Sequence, residues 1–194
     1  NQGSDSVLSS VSYTLGANIE TLTLTGVVNA NATGNSMNNL IVGNSGNNVL
    51  DGGGGADTLR GGPGDDIYMG NSLISIHENP DEGIDTVVTN YGGGGVIPEN
   101  IENLTVTGSS YYKTVVTGNA LNNTITARGG DIVDGMSGDD TMIFRSGFGQ
   151  SYRYYPDSET NGGTAYVDSP GDKVIFLDAY AGSLSRVMSS IDRV

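Results

Sequence analysis

The chain has 194 residues, 31 of them glycine, with no cysteine, no tryptophan and a formal net charge of −14 from 8 basic and 22 acidic side chains. Such an acidic balance excludes nucleic acid as a partner, because binding phosphate needs a basic patch, and the missing cysteines exclude a disulfide framework. No apolar run approaches a membrane span, so membrane insertion is not expected, and glycine without a three-residue period beside only 5 prolines excludes a collagen-like helix.

The chain opens on NQGSDSVLSS, which lacks the basic region and long apolar run of a signal peptide, and Asn1 suggests a piece cut from a longer chain. Residues 19–26, IETLTLTG, then alternate strictly, with Leu22 and Leu24 on one face and threonine on the other. That period of two predicts a half-buried strand. Residues 34–69 read as four tandem nonapeptides: GNSMNNLIV (34–42), GNSGNNVLD (43–51), GGGGADTLR (52–60) and GGPGDDIYM (61–69). Each opens with glycine, tends to carry another at the fourth place, and puts Asn or Asp at the sixth. The eighth place is large and apolar: Ile41, Leu50, Leu59 and Tyr68. So short a period describes a chain that turns, makes a very short strand and turns again. Glycine supplies the angles of the turn, and the apolar residue points inward. Two nonapeptides make one coil, so residues two repeats apart stack on the same side.

This pattern resembles the GGxGxDxUx repeat of the RTX (haemolysin-type, calcium-binding) proteins. GGGGADTLR and GGPGDDIYM match it at nearly every place, whereas the two preceding repeats carry Asn39 and Asn48 where the pattern has Asp. The resemblance implies an all-β fold, a right-handed parallel β-roll or β-solenoid. It also implies Ca²⁺ held between the loops of stacked coils by the sixth-place residues and by backbone carbonyls near the glycines, here Gly43, Gly52, Gly54 and Gly61. Carried over residue by residue, it pairs Asn39 with Asp57 and Asn48 with Asp66.

Residues 70–82, GNSLISIHENPDE, carry Leu73, Ile74 and Ile76 and a turn at Asn79-Pro80, and are read as one more coil. The chain is then written a second time. GIDTVVTNYGGGGVIPENIENLTVTG (83–108) repeats 3–26, with Leu104 and Val106 as its apolar face, TGNALNNTIT (117–126) repeats 33–42, and IVDGMSGDDTM (132–142) repeats 49–59. Here the resemblance pairs Asn123 with Asp140. The intervening 127–134 is one residue short, which leaves Asp131 either in or out of the ligand position. Beyond 144 the repeat stops. FRSGFGQ followed by an apolar strand, Val174-Ile175-Phe176-Leu177, resembles the segment that closes RTX rolls, where a cap covers unpaired strand edges. The expected organisation is a first solenoid unit at 1–82 containing the nonapeptides of 34–69, a second, degenerate unit at 83–143, and a C-terminal cap at 144–194. The only weak helix candidate is 179–190.

Hard Ca²⁺ takes carboxylate and carbonyl oxygens, and a site with one carboxylate and one amide is weakened, toward roughly 10⁻⁴–10⁻³ M as in extracellular modules. Stacked carboxylates repel unless a cation intervenes, which marks Asp57, Asp66 and Asp140 as ligands. For Asn38, Asn39, Asn47, Asn48, Asn122 and Asn123 two readings stand: ligation, or a ladder of stacked amides that holds the turns without metal. Asp51, Asp65, Asp134 and Asp139 read as surface or turn residues. Catalysis has little to stand on. His77 is the one histidine, and neither HExxH nor GxSxG is present, so no zinc site or serine nucleophile is assembled. The expected function is a non-catalytic, calcium-binding structural module of a secreted or cell-surface RTX-type protein, folding on calcium outside the cell. RTX proteins usually leave the cell with an uncleaved C-terminal signal, which fits the opening of this chain. Two alternatives stay open: a self-associating filament, surface-layer or adhesin subunit, and part of a polysaccharide-active enzyme or lectin. Tyr111, Tyr112, Tyr152, Tyr154 and Tyr155 are the candidates for stacking on a surface glycan.

Overall fold

The computed structural model describes residues 3–70, 75–90, 95–107, 115–128 and 131–145, together with the strands at 164–167, 173–177 and 186–189. The described residues hold strands and turns with no helix, so none is long and apolar enough to cross a membrane. The chain divides into two units, residues 1–89 with 98–103, and residues 90–97 with 104–194.

In the first unit, strands β1 (Ser6–Ser9), β3 (Thr21–Leu24), β5 (Leu40–Val42) and β7 (Thr58–Arg60) lie side by side in one parallel sheet. A second sheet orders β2 (Tyr13–Thr14), β4 (Asn31–Thr33), β6 (Val49–Asp51), β8 (Ile67–Met69) and β9 (Thr86–Thr89), again parallel. From β1 to β8 consecutive strands therefore alternate between sheets, and each pair of nonapeptides closes one coil of a parallel β-solenoid. The predicted stacking of residues two repeats apart is observed: Ile41 lies over Leu59, and Leu50 over Tyr68. Leu22, Ile41 and Leu59 form one apolar column and Ala32, Leu50, Tyr68 and Val87 the other, all buried. Burying such an aliphatic contributes about 1.5–3 kcal/mol, and flanking strand residues face outward because side chains alternate.

The second unit repeats the plan. β10 (Gly95–Val96), β12 (Val115–Thr117), β14 (Ile132–Asp134), β16 (Thr164–Val167) and β18 (Arg186–Ser189) make one sheet, and β11 (Asn103–Val106), β13 (Thr124–Arg128), β15 (Thr141–Arg145) and β17 (Lys173–Leu177) the other. Ile125 pairs with Met142 and Ala127 with Phe144, all buried. Stacking continues past 144, because β16 pairs with β14 and β17 with β15. Part of the weak helix candidate is instead strand: Arg186–Ser189 pairs in parallel with β16, since its hydrogen bonds come from a neighbouring coil rather than from a helix turn. Leu73, Ile74, Tyr111, Tyr112, Tyr152, Tyr154, Tyr155 and most of FRSGFGQ lie outside the described residues.

Candidate metal centre

Among the described coils of the first unit one residue stands immediately before the strand, and from Glu20 and Ala30 onward its side chain is half-buried or buried in the stack. On the first sheet this column is Asp5, Glu20, Asn39 and Asp57; on the second it is Ala30, Asn48, Asp66, Asp85 and Glu102. The sixth place of the nonapeptide is this position. The backbone N–H there is buried between coils and needs an acceptor, and the side chain of the next coil supplies it. Asn39 N–H donates to Asp57 Oδ1 at 2.8 Å, Asn48 N–H to Asp66 Oδ1 at 2.6 Å and Asn123 N–H to Asp140 Oδ1 at 2.8 Å. The fifth place returns the bond, Ala56 N–H to Asn38 Oδ1, Asp65 N–H to Asn47 Oδ1 and Asp139 N–H to Asn122 Oδ1, at 2.9, 3.1 and 2.9 Å. Neighbouring turns are thus clamped reciprocally. Each pair that the sequence suggested is brought together.

Asn and Asp divide the sixth place by what they face. Asn39 Nδ2 donates to the Ile19 carbonyl at 3.0 Å, and Asn48 Nδ2 donates to the Ala30 carbonyl at 2.9 Å and to Asn44 Oδ1 at 3.0 Å. A carboxylate there would meet oxygen. Their Oδ1 atoms cap their own turns, accepting from Asn35 N–H and Asn44 N–H, as Asn123 Oδ1 does from Asn119 N–H. Asp57, Asp66 and Asp140 each face a donor, and their second oxygens crowd the first glycine of their own repeats, Gly52, Gly61 and Gly135. A Cβ at Gly43 would strike both the Gly61 carbonyl and Asn48 Oδ1, so the first place admits only glycine and lines the turn with oxygen. Gly54 has room for a side chain and donates its N–H to the Asn35 carbonyl at 2.9 Å. The fourth-place glycine takes a left-handed conformation in the repeats that carry Asp, at Gly55, Gly64 and Gly138 (φ +114°, +133° and +125°), where it approaches the carbonyl of the coil below.

Burial raises the Asp57 carboxyl above its ordinary range, opposed by the Asn39 N–H and reinforced by Asp51. Asp66 has no exposed surface, and burial first, then the charges of Asp85, Asp65 and Glu82, push it up to about 7 against the opposing Asn48 N–H. Asp66 Oδ2 has no hydrogen-bond partner among the described residues. Asp131 occupies the same pre-strand place despite the shortened repeat, but it is buried against Arg128, whose Nε lies 3.1 Å from Asp131 Oδ2. That side chain already has its cation. His77 is exposed.

Two residues that repeat spacing passes over join Asp66: Glu78 and Asp85. One ligand atom from each of the three carboxylates lies within 4.8 Å of the others. Asp66 N–H donates to Asp85 Oδ1 at 2.8 Å, and Gly61 N–H donates to Glu78 Oε1 at 3.1 Å and to the buried Tyr68 hydroxyl at 2.7 Å. Burial first, then neighbouring acids, push Glu78 up to about 8 and Asp85 to about 6. The Asp85 signal was present in the letters: Asp85-Thr86-Val87 repeats the Asp57-Thr58-Leu59 and Asp140-Thr141-Met142 triplets.

The donor set is all oxygen, buried or half-buried and, among the described residues, without a paired protein cation, which fits a hard divalent ion. No curated protein and no solved structure matches the chain. The RTX calcium-binding nonapeptide repeat matches residues 33–68 and 117–150, in 4 copies, the stretches that supply these turns. The chain carries RTX repeats, whose ligand is Ca²⁺, laid out on a parallel β-solenoid.

Proposed function

We propose that this chain is a non-catalytic, calcium-binding structural module of a secreted or cell-surface protein, completing its fold on Ca²⁺ outside the cell. Asp66 carries the reading: a fully buried carboxylate with one oxygen fixed by Asn48 N–H and, among the described residues, neither a donor to the other oxygen nor a basic side chain paired to it. An unpaired buried charge costs several kcal/mol, so the coil is favoured when a cation takes that oxygen. Bound Ca²⁺ supplies two positive charges to oxygen ligands. The chain does the rest. Asp57, Asp66 and Asp140 hold the ion from the sixth place, the turn carbonyls of Gly43, Gly52, Gly54 and Gly61 complete the oxygen shell, and Asn39, Asn48 and Asn123 fix the turns around it.

Regulation follows from linkage. An ion that binds the folded state alone stabilises it in proportion to the logarithm of its concentration over Kd. Where calcium is scarce, a net charge of −14 opposes the compact state; where it is plentiful, the coils lock. Residues 144–194 close the roll in this reading, which rests on the likeness of FRSGFGQ and Val174-Ile175-Phe176-Leu177 to the segment that caps RTX rolls. The test is a calcium titration followed by far-UV circular dichroism, with magnesium as control. A cooperative gain of β signal between sub-millimolar and millimolar calcium is expected. A chain fully folded in chelator, with a spectrum indifferent to calcium, would overturn the reading.

A further inference from the structure

We propose that the ion taken by Asp66 sits in a three-carboxylate Ca²⁺ site completed by Glu78 and Asp85 at the end of the first repeat stack, with Asp66 drawn from the last nonapeptide and the other two ligands from the non-repeat segment that follows it. The inference rests on the calcium reading above but concerns ligands outside the matched repeats, since Glu78 and Asp85 lie beyond residue 68.

The geometry is prepared from three directions. Leu59 bridges Ile76 in parallel, which carries Glu78 over Gly61, where its Oε1 accepts the Gly61 N–H. β9 pairs with β8, which sets Asp85 one coil above Asp66, and Asp66 N–H holds Asp85 Oδ1. Asp66 is itself held by Asn48 N–H. Each carboxylate therefore spends one oxygen on a backbone donor that fixes its position. The remaining oxygens of Asp66 and Glu78, Oδ2 and Oε2, are buried without a hydrogen-bond partner among the described residues. Native proteins rarely leave such atoms unsatisfied, and here two lie in one cluster. Two ligands on opposite sides of Ca²⁺ stand about 5 Å apart, from Ca–O distances of roughly 2.3–2.6 Å, so atoms within 4.8 Å of one another already fit one ion. The absence of imidazole or thiolate from the group argues against zinc. Three carboxylates outweigh the one-carboxylate pairs Asn39–Asp57 and Asn123–Asp140 in charge, so this site fills first.

The experiment is calorimetric Ca²⁺ titration of the full chain beside Glu78→Gln and Asp85→Asn, each checked for a native dichroism spectrum at saturating calcium. Both variants are expected to lose the first-filling site, its affinity falling about tenfold or more, while the weaker sites remain. A second measurement uses the natural chain with Tb³⁺, whose emission is excited through tyrosine. Tyr68, beside Gly61 and Asp66, makes the first equivalent of Tb³⁺ luminescent, and Tyr68→Phe removes most of that emission. Variants that titrate like the natural chain, or Tb³⁺ emission unchanged in Tyr68→Phe, would show the triad to be a protonated acid cluster with no ion, leaving the calcium of the other repeats intact. A natural chain that takes up no calcium sinks both this proposal and the function it rests on.

Discussion

Asn48 carries an amide where the matching repeats carry a carboxylate, and its surroundings account for the difference. Its nitrogen donates to the Ala30 carbonyl and to Asn44 Oδ1, both buried acceptors, while its oxygen caps the turn at Asn44. Restoring the repeat consensus with Asn48→Asp would put a second carboxylate oxygen against those acceptors and beside Asp66. Leaving buried polar groups without donors costs about 1–3 kcal/mol. Asn48→Asp is therefore expected to lower stability by that amount in saturating calcium, measured by urea unfolding; equal or greater stability would mean that the residue serves as a calcium ligand first. The sixth place was legible as special from spacing alone. Its division into donors and acceptors was not, because the choice depends on which atom of a coil 18 residues away lies opposite, and a repeat pattern read within one coil carries no such information.

At the scale of the strand, three-residue elements leave one inward position each, and the repeat names it. Leu40 and Ile41 are adjacent aliphatics in β5, yet Leu40 is 37% exposed and Ile41 is 0% exposed. Ile41→Ala would open a cavity between Leu22 and Leu59, its partners in register, at a cost of about 2–5 kcal/mol. Leu40→Ala is expected to stay within about 0.5 kcal/mol. Paired urea melts in saturating calcium check this, and a comparable loss at Leu40 would contradict the alternation. The inward residues Ile41, Leu50, Leu59 and Tyr68 were readable because glycine and the apolar eighth place recur at fixed spacing. Glu78 was not, because it arrives through the Leu59–Ile76 bridge, a contact made by a coil without the nonapeptide spacing. Asp85 falls between: its Asp-Thr-apolar triplet was visible, but it sits 19 residues after Asp66 instead of 18, and it opens a segment that reads as the start of a second unit.

For the molecule as a whole, proton and calcium compete for the same oxygens, and the direction of the pH dependence follows. Asp66, Glu78 and Asp85 have folded values of about 7, 8 and 6, raised from 3.8, 4.5 and 3.8, with burial the first cause in each. Between about pH 4 and 8 the folded chain therefore holds more protons than the unfolded chain, so folding without metal weakens as pH rises through that window. The three groups touch and titrate as a cluster rather than singly. In chelator, β signal and melting temperature are expected to be highest near pH 4, at the unfolded values, and to fall toward pH 8. Saturating calcium reverses the slope, because the ion requires the deprotonated carboxylates and is displaced as they protonate. Net charge also shrinks on acidification and favours compaction everywhere in the chain, so Glu78→Gln separates the two effects: it removes one titrating carboxyl from the cluster and should flatten the chelator profile between about pH 4.5 and 8, its unfolded and folded values, while leaving the profile below that unchanged. Stability in chelator that rises with pH would contradict both effects, whereas a Glu78→Gln profile that overlays the natural one would mean that general charge repulsion, not these buried carboxylates, sets the response of the solenoid to acid.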